Sequence, residues 1–340
     1  MEDNQSIEIL KSIKTLANKN SGLHIKDMLD QRRLKEFQVK TDHLSYDYSK
    51  QRITRKALDE LLKIPEKINL KESILDITKG EFLNTTEVRN VSHMLYRDLS
   101  NSQNTRELKE ISDQRNKLSS FIETIQGASE SYIDTIISIS IGGSRLGPEL
   151  LSEVYGNPYS NIKVYFCSSY DFIELENVMS TRNPARTLVV ISSKSFNTPE
   201  VIENANKAKD WLESVVGDNC WDQIIGISSN KEAMTEFGIE EPNQFEILDS
   251  IGGRYSIWSS ISLPAIVEMG WKGFEEFLQG AYEADKHFRN NSWDQNIPVL
   301  MALFNVWNLN GLRVNNLGIF SYDFKIRSLT KYLAQMGMES

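Results

Sequence analysis

The sequence predicts an α/β protein built on a doubly wound parallel sheet of five strands, preceded by a helical region. Near residue 132 the pattern changes, and short apolar runs begin to alternate with segments of helical periodicity. These runs are almost continuously apolar, which is typical of parallel strands covered on both faces. Two of the transitions from strand to helix carry glycine-rich turns.

Five strand–helix units account for the predicted sheet. We expect strands at 136–141, 162–167, 187–192, 223–228 and 245–248, followed by helices at 148–154, 172–179, 199–215, 231–237 and 255–269. Repeated units of this kind form parallel sheets with right-handed crossovers.

The segments on either side of the sheet are predicted mainly as helices. Before it, helical periodicity covers 56–62, 86–99 and 105–125, and Asn84 resembles a helix cap. After it, we expect helices at 272–289, 297–311 and 326–339 and one more strand at 317–322. These elements predict a helical N-terminal region at 1–130, a first α/β domain at 131–290 and the start of a second α/β domain at 291–340.

The composition restricts the classes of partner. With 38 Lys and Arg against 47 Asp and Glu, the chain has a formal net charge of −9 and no basic stripe, which disfavours nucleic acid. No apolar run reaches membrane-spanning length, so no membrane is expected. Cys167 and Cys220 are the two cysteines, without metal-ligand spacing, which predicts a reducing, cytoplasmic compartment.

The first glycine-rich turn follows the strand at 136–141. Gly142 and Gly147 have the outer spacing of a P-loop, but Pro148 occupies the position of its lysine, and no dinucleotide fingerprint is present. The main sequence evidence for a nucleotide-binding protein is therefore absent. Two interpretations remain: a turn that needs glycine for its backbone, or a phosphate site that uses Ser144 and the amides at the helix start.

The second candidate turn is Ser193-Lys194-Ser195-Phe196-Asn197-Thr198, after the strand at 187–192. Pro199 suits the first helical position, which makes Thr198 the predicted N-cap. The hydroxyls can cap the helix, bind an anion, or do both. Two such turns in one sheet favour a phosphate site, since the ends of neighbouring parallel strands lie together.

Three further side chains are candidates for chemistry. Arg254 follows Gly252-Gly253 and can bind an oxyanion, although pairing with Asp249 or Glu246 at the surface is the commoner outcome. Gln335 and Glu339 share one face of the last predicted helix, where an exposed polar face is the alternative. Asn84, Thr85 and Arg89 can serve a site, but capping and surface pairing are favoured for them.

The ordered set of motifs resembles the glucose-6-phosphate isomerase (phosphoglucose isomerase) family over essentially the whole chain. The resemblance rests on Ile141-Gly142-Gly143-Ser144, the Ser193–Thr198 segment, Gly252-Gly253-Arg254-Tyr255-Ser256 with Trp258-Ser259, and Met338-Glu339-Ser340. Asp47–Arg52 and Asn84–Glu87 fit the family's N-terminal region. The last motif is similar to the beginning of the family's Met-Glu-Ser-Asn-Gly-Lys sequence.

The resemblance implies aldose–ketose isomerisation of glucose 6-phosphate and fructose 6-phosphate through a cis-enediol(ate). This is a step of glycolysis and gluconeogenesis, carried out in the cytoplasm by a homodimer without a metal or cofactor. It assigns Glu339 as the base and Arg254 as the group that stabilises the enediolate. It assigns substrate binding to Gly143, Ser144, Ser193, Lys194, Ser195, Thr198 and Gln335.

The chain also departs from the family. Arg145 stands where an acidic residue is common, Ser195 and Asn197 replace threonines, and Ser250 replaces a tryptophan. The family continues well beyond the equivalent of Ser340 and uses a histidine and a lysine there, so we expect an N-terminal fragment that is inactive alone. The alternative function is a non-catalytic sugar-phosphate-binding regulator, which would keep the phosphate site and lack the base and the arginine.

Overall fold

The computed structural model describes residues 2–20, 22–85, 88–99, 105–127, 133–157 and 160–339. These residues form two compact units. One comprises Met1–Ile77 and Glu283–Gly318, and the other comprises Thr78–Tyr282 and Ile319–Ser340. The second unit contains the sheet and the candidate site.

The helices and strands are as follows. The helices are α1 Glu2–Lys19, α2 Ile25–Met28, α3 Gln31–Glu36, α4 Arg55–Leu61, α5 Ile64–Lys67, α6 Leu70–Lys79, α7 Arg106–Gly127, α8 Gly143–Tyr155, α9 Ile173–Met179, α10 Pro199–Val216, α11 Lys231–Phe237, α12 Leu263–Asn290, α13 Ile297–Val306 and α14 Leu329–Met338. The strands are β1 Gln38–Lys40, β2 Ser45–Asp47, β3 Leu83–Asn84, β4 Arg89–Asn90, β5 Thr135–Ser140, β6 Lys163–Cys167, β7 Thr187–Ser192, β8 Ile224–Ser228 and β9 Gln244–Glu246.

The main sheet has the strand order β6-β5-β7-β8-β9, and all of its neighbouring pairs are parallel. The predicted five-stranded parallel sheet and the helical region before it are therefore confirmed. From β5 the chain moves to β6 on one side and then returns to β7 on the other. A crevice opens between the carboxyl ends of two such strands, which is where ligands bind in open α/β sheets.

Both faces of the sheet are covered, because alternate residues of each strand enter different hydrophobic clusters. Ile136 and Val190 pack on one face with Ile122 of α7 and Phe274 of α12. On the opposite face, Ile137, Val189 and Ile191 pack with α10 residues Ala205 and Leu212. Burial on both faces explains why the strands are continuous apolar runs in the sequence.

The first unit has its own core around Trp307 and Phe304, both almost fully buried. The buried Arg33 guanidinium donates to the carbonyl oxygens of Ser49, Gln51 and Ile53, at 2.6, 2.7 and 3.0 Å. These bonds tie α3 to the chain that leads into α4. In the part of the chain that the structure describes, no helix is both long and apolar enough to cross a membrane.

Four predicted elements differ in the structure. In the region of the helix expected at 86–99, the described residues form β4 and a short 3₁₀ turn at Leu95–Arg97, and Asn84 lies in β3, paired with Arg89 of β4, rather than capping a helix. Thr86 and Glu87 lie outside the described residues. No strand forms at 317–322, since a strand requires a hydrogen-bonded neighbour and none of the described residues pairs with it. The helix expected at 255–269 begins only at Leu263, after 3₁₀ turns at Gly253–Trp258 and Ser260–Ser262, and it joins the helix expected at 272–289 as α12 across Gly270, whose φ is +78°.

Strand β7 lies in the middle of the sheet, so a substitution in this strand tests the predicted core. Ile191 is fully buried, so Ile191→Ala should cost about 2–5 kcal/mol through lost burial and the cavity left behind. Hydrogen exchange of the β5 and β7 amides measures this loss within the sheet. Ile173→Ala is the control, because Ile173 is 56% exposed and its truncation should change stability by less than about 0.5 kcal/mol. Equal effects of the two substitutions would contradict the predicted core.

Candidate functional site

A cavity of about 380 Å³ lies at the carboxyl ends of β5 and β7. Its lining includes all nine residues singled out from the sequence. They are Gly143, Ser144, Ser193, Lys194, Ser195, Thr198, Arg254, Gln335 and Glu339. The structure therefore brings together four segments that are far apart in the chain, although the role of each residue remains a prediction.

The first glycine turn leads directly from β5 into α8. Gly142 has φ +56° and ψ −131°, a backbone conformation that L side chains rarely adopt, and its carbonyl accepts the amides of Arg145 and Leu146. The first amides of a helix have no carbonyl within the helix to bond. Gly143 and Ser144, the first two residues of α8, line the cavity, so their backbone amides and the Ser144 hydroxyl are candidate donors to a ligand there.

Gly143 is required for a different reason, the close approach of another backbone. A Cβ atom at this position would lie 2.5 Å from the carbonyl carbon and oxygen of Gly253 and 2.6 Å from the Arg254 nitrogen. Both glycine-rich runs thus meet directly, and the contact places Arg254 beside the first turn. Its guanidinium carbon lies 5.3 Å from the centre of the Tyr255 ring.

The second turn carries the hydroxyl groups, and Thr198 differs from its predicted use. Thr198 occupies the N-cap position of α10, but its side chain makes no capping bond. Instead the hydroxyls of Thr198 and Ser193 lie 3.0 Å apart. The hydroxyl of the exposed Ser195 donates to the Asn197 side chain. The predicted N-cap position is correct, while the predicted capping bond is wrong.

Hydrogen bonds and apolar packing hold the backbone of this turn in place. The Lys194 carbonyl accepts the side-chain hydroxyls of Ser228 and Ser229, at 2.8 and 2.9 Å. Phe196 has φ +54°, unusual for a bulky residue, and its buried ring packs edge-on against Phe237. These contacts fix the direction in which the lysine and hydroxyl side chains leave the turn.

Lys194 is fixed at the edge of the cavity by the chain that precedes Arg254. Its ammonium donates to the carbonyl oxygens of Asp249 and Ile251, at 2.5 and 3.0 Å, and lies 3.2 Å from the Asp249 carboxylate. Burial and the nearby Arg89 charge lower the pKa of Lys194, against the opposing effect of Asp249. Lys194 therefore loses its charge at a lower pH than an ordinary lysine.

Arg89 also lines the cavity, and sequence reasoning favoured a surface role for it. Its guanidinium contacts the carbonyl oxygen and carboxylate of Asp249, at 3.3 and 3.5 Å. Asp249 thus pairs with Lys194 and Arg89, and Glu246 pairs with Lys231 at 3.3 Å. Arg89 contacts Asp249, which is far away in the sequence, and no local sequence pattern reveals such a contact.

Helix α14 brings Gln335 and Glu339 to the cavity. The Gln335 side-chain amide donates to the Glu339 carboxylate at 3.2 Å. Gln335 is half-buried and Glu339 is exposed at the end of the helix. Gln335 also lies near the first turn, since a Cβ on Gly142 would be 3.4 Å from its amide nitrogen.

The family departures lie beside the cavity and are paired. Arg145 forms ion pairs with Glu149 at 3.1 Å and Glu174 at 3.2 Å. The hydroxyls of Ser250 and Ser92 are 2.6 Å apart. Arg145, Asn197 and Ser250 do not line the cavity, whereas Ser195 does, so among the departures it is Ser195 that contributes a side chain to the cavity surface.

The cavity combines three cationic side chains, several hydroxyls and one carboxylate. Charged donors, hydroxyls and helix N-termini are the groups that bind phosphate in proteins. Among the described residues, no group of three or more His, Cys, Asp or Glu side chains is arranged to hold a metal. Fold and cavity together define an α/β protein with a cavity lined by cationic and hydroxyl side chains at the switch point of its sheet.

Comparison with known proteins then identifies the family. The sequence profile of the family described as phosphoglucose isomerase matches residues 47–340. The chain belongs to the phosphoglucose isomerase family.

Individual relatives agree with this assignment. The glucose-6-phosphate isomerase of Acinetobacter baumannii strain AYE is 36% identical over 346 residues, which cover 97% of this chain and 62% of that protein. The enzyme of Helicobacter pylori strain J99 is also 36% identical, over 94% of this chain and 61% of its own length. The chain thus spans less than two thirds of the relatives it matches.

Solved structures share the fold. A crystal structure of a glucose-6-phosphate isomerase from Chlamydia trachomatis superposes with a TM-score of 0.88 at 24% identity, over 98% of this chain and 65% of that one. A hypothetical protein from Thermus thermophilus gives a TM-score of 0.66 at 18% identity, over 84% of this chain and 63% of that one.

The contact between the two glycine-rich runs can be tested by Gly143→Ala. Because the added methyl group would overlap the Gly253 carbonyl, the backbone must shift, and we expect inorganic phosphate to bind at least about tenfold more weakly. Calorimetry measures the affinity. Gly280→Ala is the control, since a Cβ there meets no atom within 4 Å and the helix should gain about 0.5–1 kcal/mol. Unchanged phosphate affinity in Gly143→Ala would show that the contact is unimportant.

Proposed function

We propose that the cavity binds glucose 6-phosphate and fructose 6-phosphate and forms part of an aldose–ketose isomerase active site. One observation carries the proposal. In a chain of the phosphoglucose isomerase family, hydroxyls suited to a phosphate line the same cavity as Arg254 and Glu339. The two sets of groups suit the two ends of a sugar phosphate.

The phosphate end belongs at the two turns. Ser144, Ser193, Ser195 and Thr198 offer hydroxyl donors, and the start of α8 adds backbone amides. Lys194 contributes a positive charge that its contacts with Asp249 and Ile251 already hold in place. Holding the phosphate here orients the remainder of the sugar toward α14.

The reacting carbons belong near Arg254, Gln335 and Glu339. The Glu339 carboxylate removes the proton from C2 of the open-chain aldose and returns it to C1, while the hydroxyl proton passes from O2 to O1 of the enediolate, so that one base serves both carbon steps. Negative charge develops on the oxygens of the enediolate between these steps. Arg254 stabilises it by charge and directed hydrogen bonds, and Gln335 orients the carboxylate that accepts its amide.

A regulator that senses sugar phosphates is the second candidate. It needs the phosphate groups and has no use for a base beside an arginine. The presence of Glu339 and Arg254 in the cavity favours the enzyme. The family resemblance further supports a cytoplasmic homodimer that acts in glycolysis and gluconeogenesis.

We propose that the 340 residues alone are inactive. Glu339 is exposed at the end of α14, where its carboxylate accepts a hydrogen bond from the Gln335 side chain. A general base must be held within a fraction of an ångström to act efficiently. A coupled assay should therefore detect no isomerisation by this chain, beside normal turnover by the Acinetobacter baumannii relative. Comparable turnover would refute the proposed inactivity.

The pH dependence of phosphate binding tests the role of Lys194. The lysine is charged below its pKa, and since that pKa is lowered, affinity should fall at a less alkaline pH than an ordinary lysine would give. Lys194→Met should bind phosphate about 10- to 100-fold more weakly at neutral pH and lose this alkaline decline. Lys231→Met is the control, because Lys231 pairs with Glu241 and Glu246 outside the cavity. An identical pH profile in both variants would exclude Lys194 from the phosphate site.

The choice between enzyme and regulator can be made by ligand preference. An aldonic acid phosphate carries a carboxylate where the enediolate charge develops, so an isomerase site should bind it more tightly than a sugar phosphate. Arg254→Ala should remove this preference, with a loss of about 100-fold for the aldonate and unchanged affinity for inorganic phosphate. Calorimetry with the three ligands measures both effects. A site that prefers the sugar phosphate would instead indicate a regulator.

A further inference from the structure

Tyr332 connects the two parts of the site that carry the proposed chemistry. It lies on α14, three residues before Gln335 and seven before Glu339, so the three side chains share one stripe of the helix. Its hydroxyl donates a hydrogen bond of 2.9 Å to the carbonyl oxygen of Arg254. The side chain is 7% exposed.

The surroundings of Tyr332 keep it a hydrogen-bond donor. The ring packs against Leu150 and Leu151 of α8 and against Ile257 and Ala265. Burial raises the pKa of the phenol, with a smaller contribution from Tyr255. The hydroxyl therefore stays protonated throughout the physiological range and cannot repel the carbonyl oxygen.

Other contacts attach α14 to α8 at its start and along its apolar face. The Glu153 carboxylate accepts the Ser328 amide at 2.9 Å and pairs with Arg327 at the start of the helix. Leu329 and Met336 add apolar packing on the same cluster. Among the hydrogen bonds described for α14, the bond from Tyr332 leads directly to the backbone of Arg254.

We propose that Tyr332 is a positioning residue, which sets the rotation of α14 and thereby the location of the Glu339 carboxylate relative to Arg254. The inference rests on the proposed function, because it concerns how the base and the arginine are aligned. Tyr332 does not line the cavity, so it acts through Arg254 and not on the ligand.

The substitution Tyr332→Phe isolates the hydrogen bond, since the ring and its packing are retained. Calorimetry on the 340-residue chain would compare inorganic phosphate with a five-carbon aldonic acid phosphate. We expect the variant to bind the aldonate about tenfold more weakly and phosphate with unchanged affinity, because loss of one hydrogen bond within the protein would misplace Arg254 at the carboxylate end of the ligand only. Tyr322→Phe is the control, because Tyr322 is 98% exposed and its hydroxyl should not affect either ligand.

A merely structural role would give a different pattern. If Tyr332→Phe weakens both ligands equally, or neither, the positioning role is wrong. If the unsubstituted chain shows no preference for the aldonate, the proposed function is wrong. Hydrogen exchange then tests the positioning role of Tyr332 separately. Tyr332→Phe should accelerate exchange in α14 and in the 3₁₀ turn Gly253–Trp258 while leaving β5 unchanged. Unchanged exchange in these two segments overturns the inference.

Discussion

The site depends on the contact between Gly143 and the Gly253–Arg254 peptide. Because Gly143 has no side chain, its backbone lies close to that of Gly253 and Arg254. Arg254 therefore lies beside the first glycine-rich turn, although the two are far apart in the chain. Any larger residue at 143 would separate the helix start, which offers amides, from the arginine. The first glycine-rich run thus has two roles. Gly142 adopts the backbone conformation that the turn needs, and Gly143 leaves room for the Gly253–Arg254 peptide.

Charge in the cavity is organised by groups that lie outside its lining. Asp249 contacts both Lys194 and Arg89, and the carbonyl oxygens of Asp249 and Ile251 hold the lysine ammonium. The cations are therefore oriented before any anion arrives. Burial of Lys194 and the nearby Arg89 lower its pKa, and Asp249 opposes this effect, so Asp249 helps the lysine to keep its positive charge.

The sequence predicted the sheet well because most of its strands are nearly continuous apolar runs bounded by turn residues. The bounds of β7 and α11 agree with those expected. Periodicity failed at 86–99, where apolar spacing suits a helix but tertiary contacts favour β4 and a 3₁₀ turn. It also failed at 317–322, because strand formation depends on a partner that a local pattern does not reveal. The cavity hydroxyls followed from turn chemistry, whereas the roles of Gln335 and Glu339 came from the family resemblance.

The left-handed backbone of Phe196 has a consequence for ligand affinity. Such a conformation costs on the order of 1–3 kcal/mol in a bulky residue, and here the buried ring and its contact with Phe237 maintain it. The folded protein carries this cost whether or not a ligand is present. If the proposed phosphate binds at this turn, little loop entropy is left to remove, and more of its interaction energy remains as binding free energy. Part of the free-energy cost of ordering the turn is thus included in the free energy of folding and not in the free energy of binding.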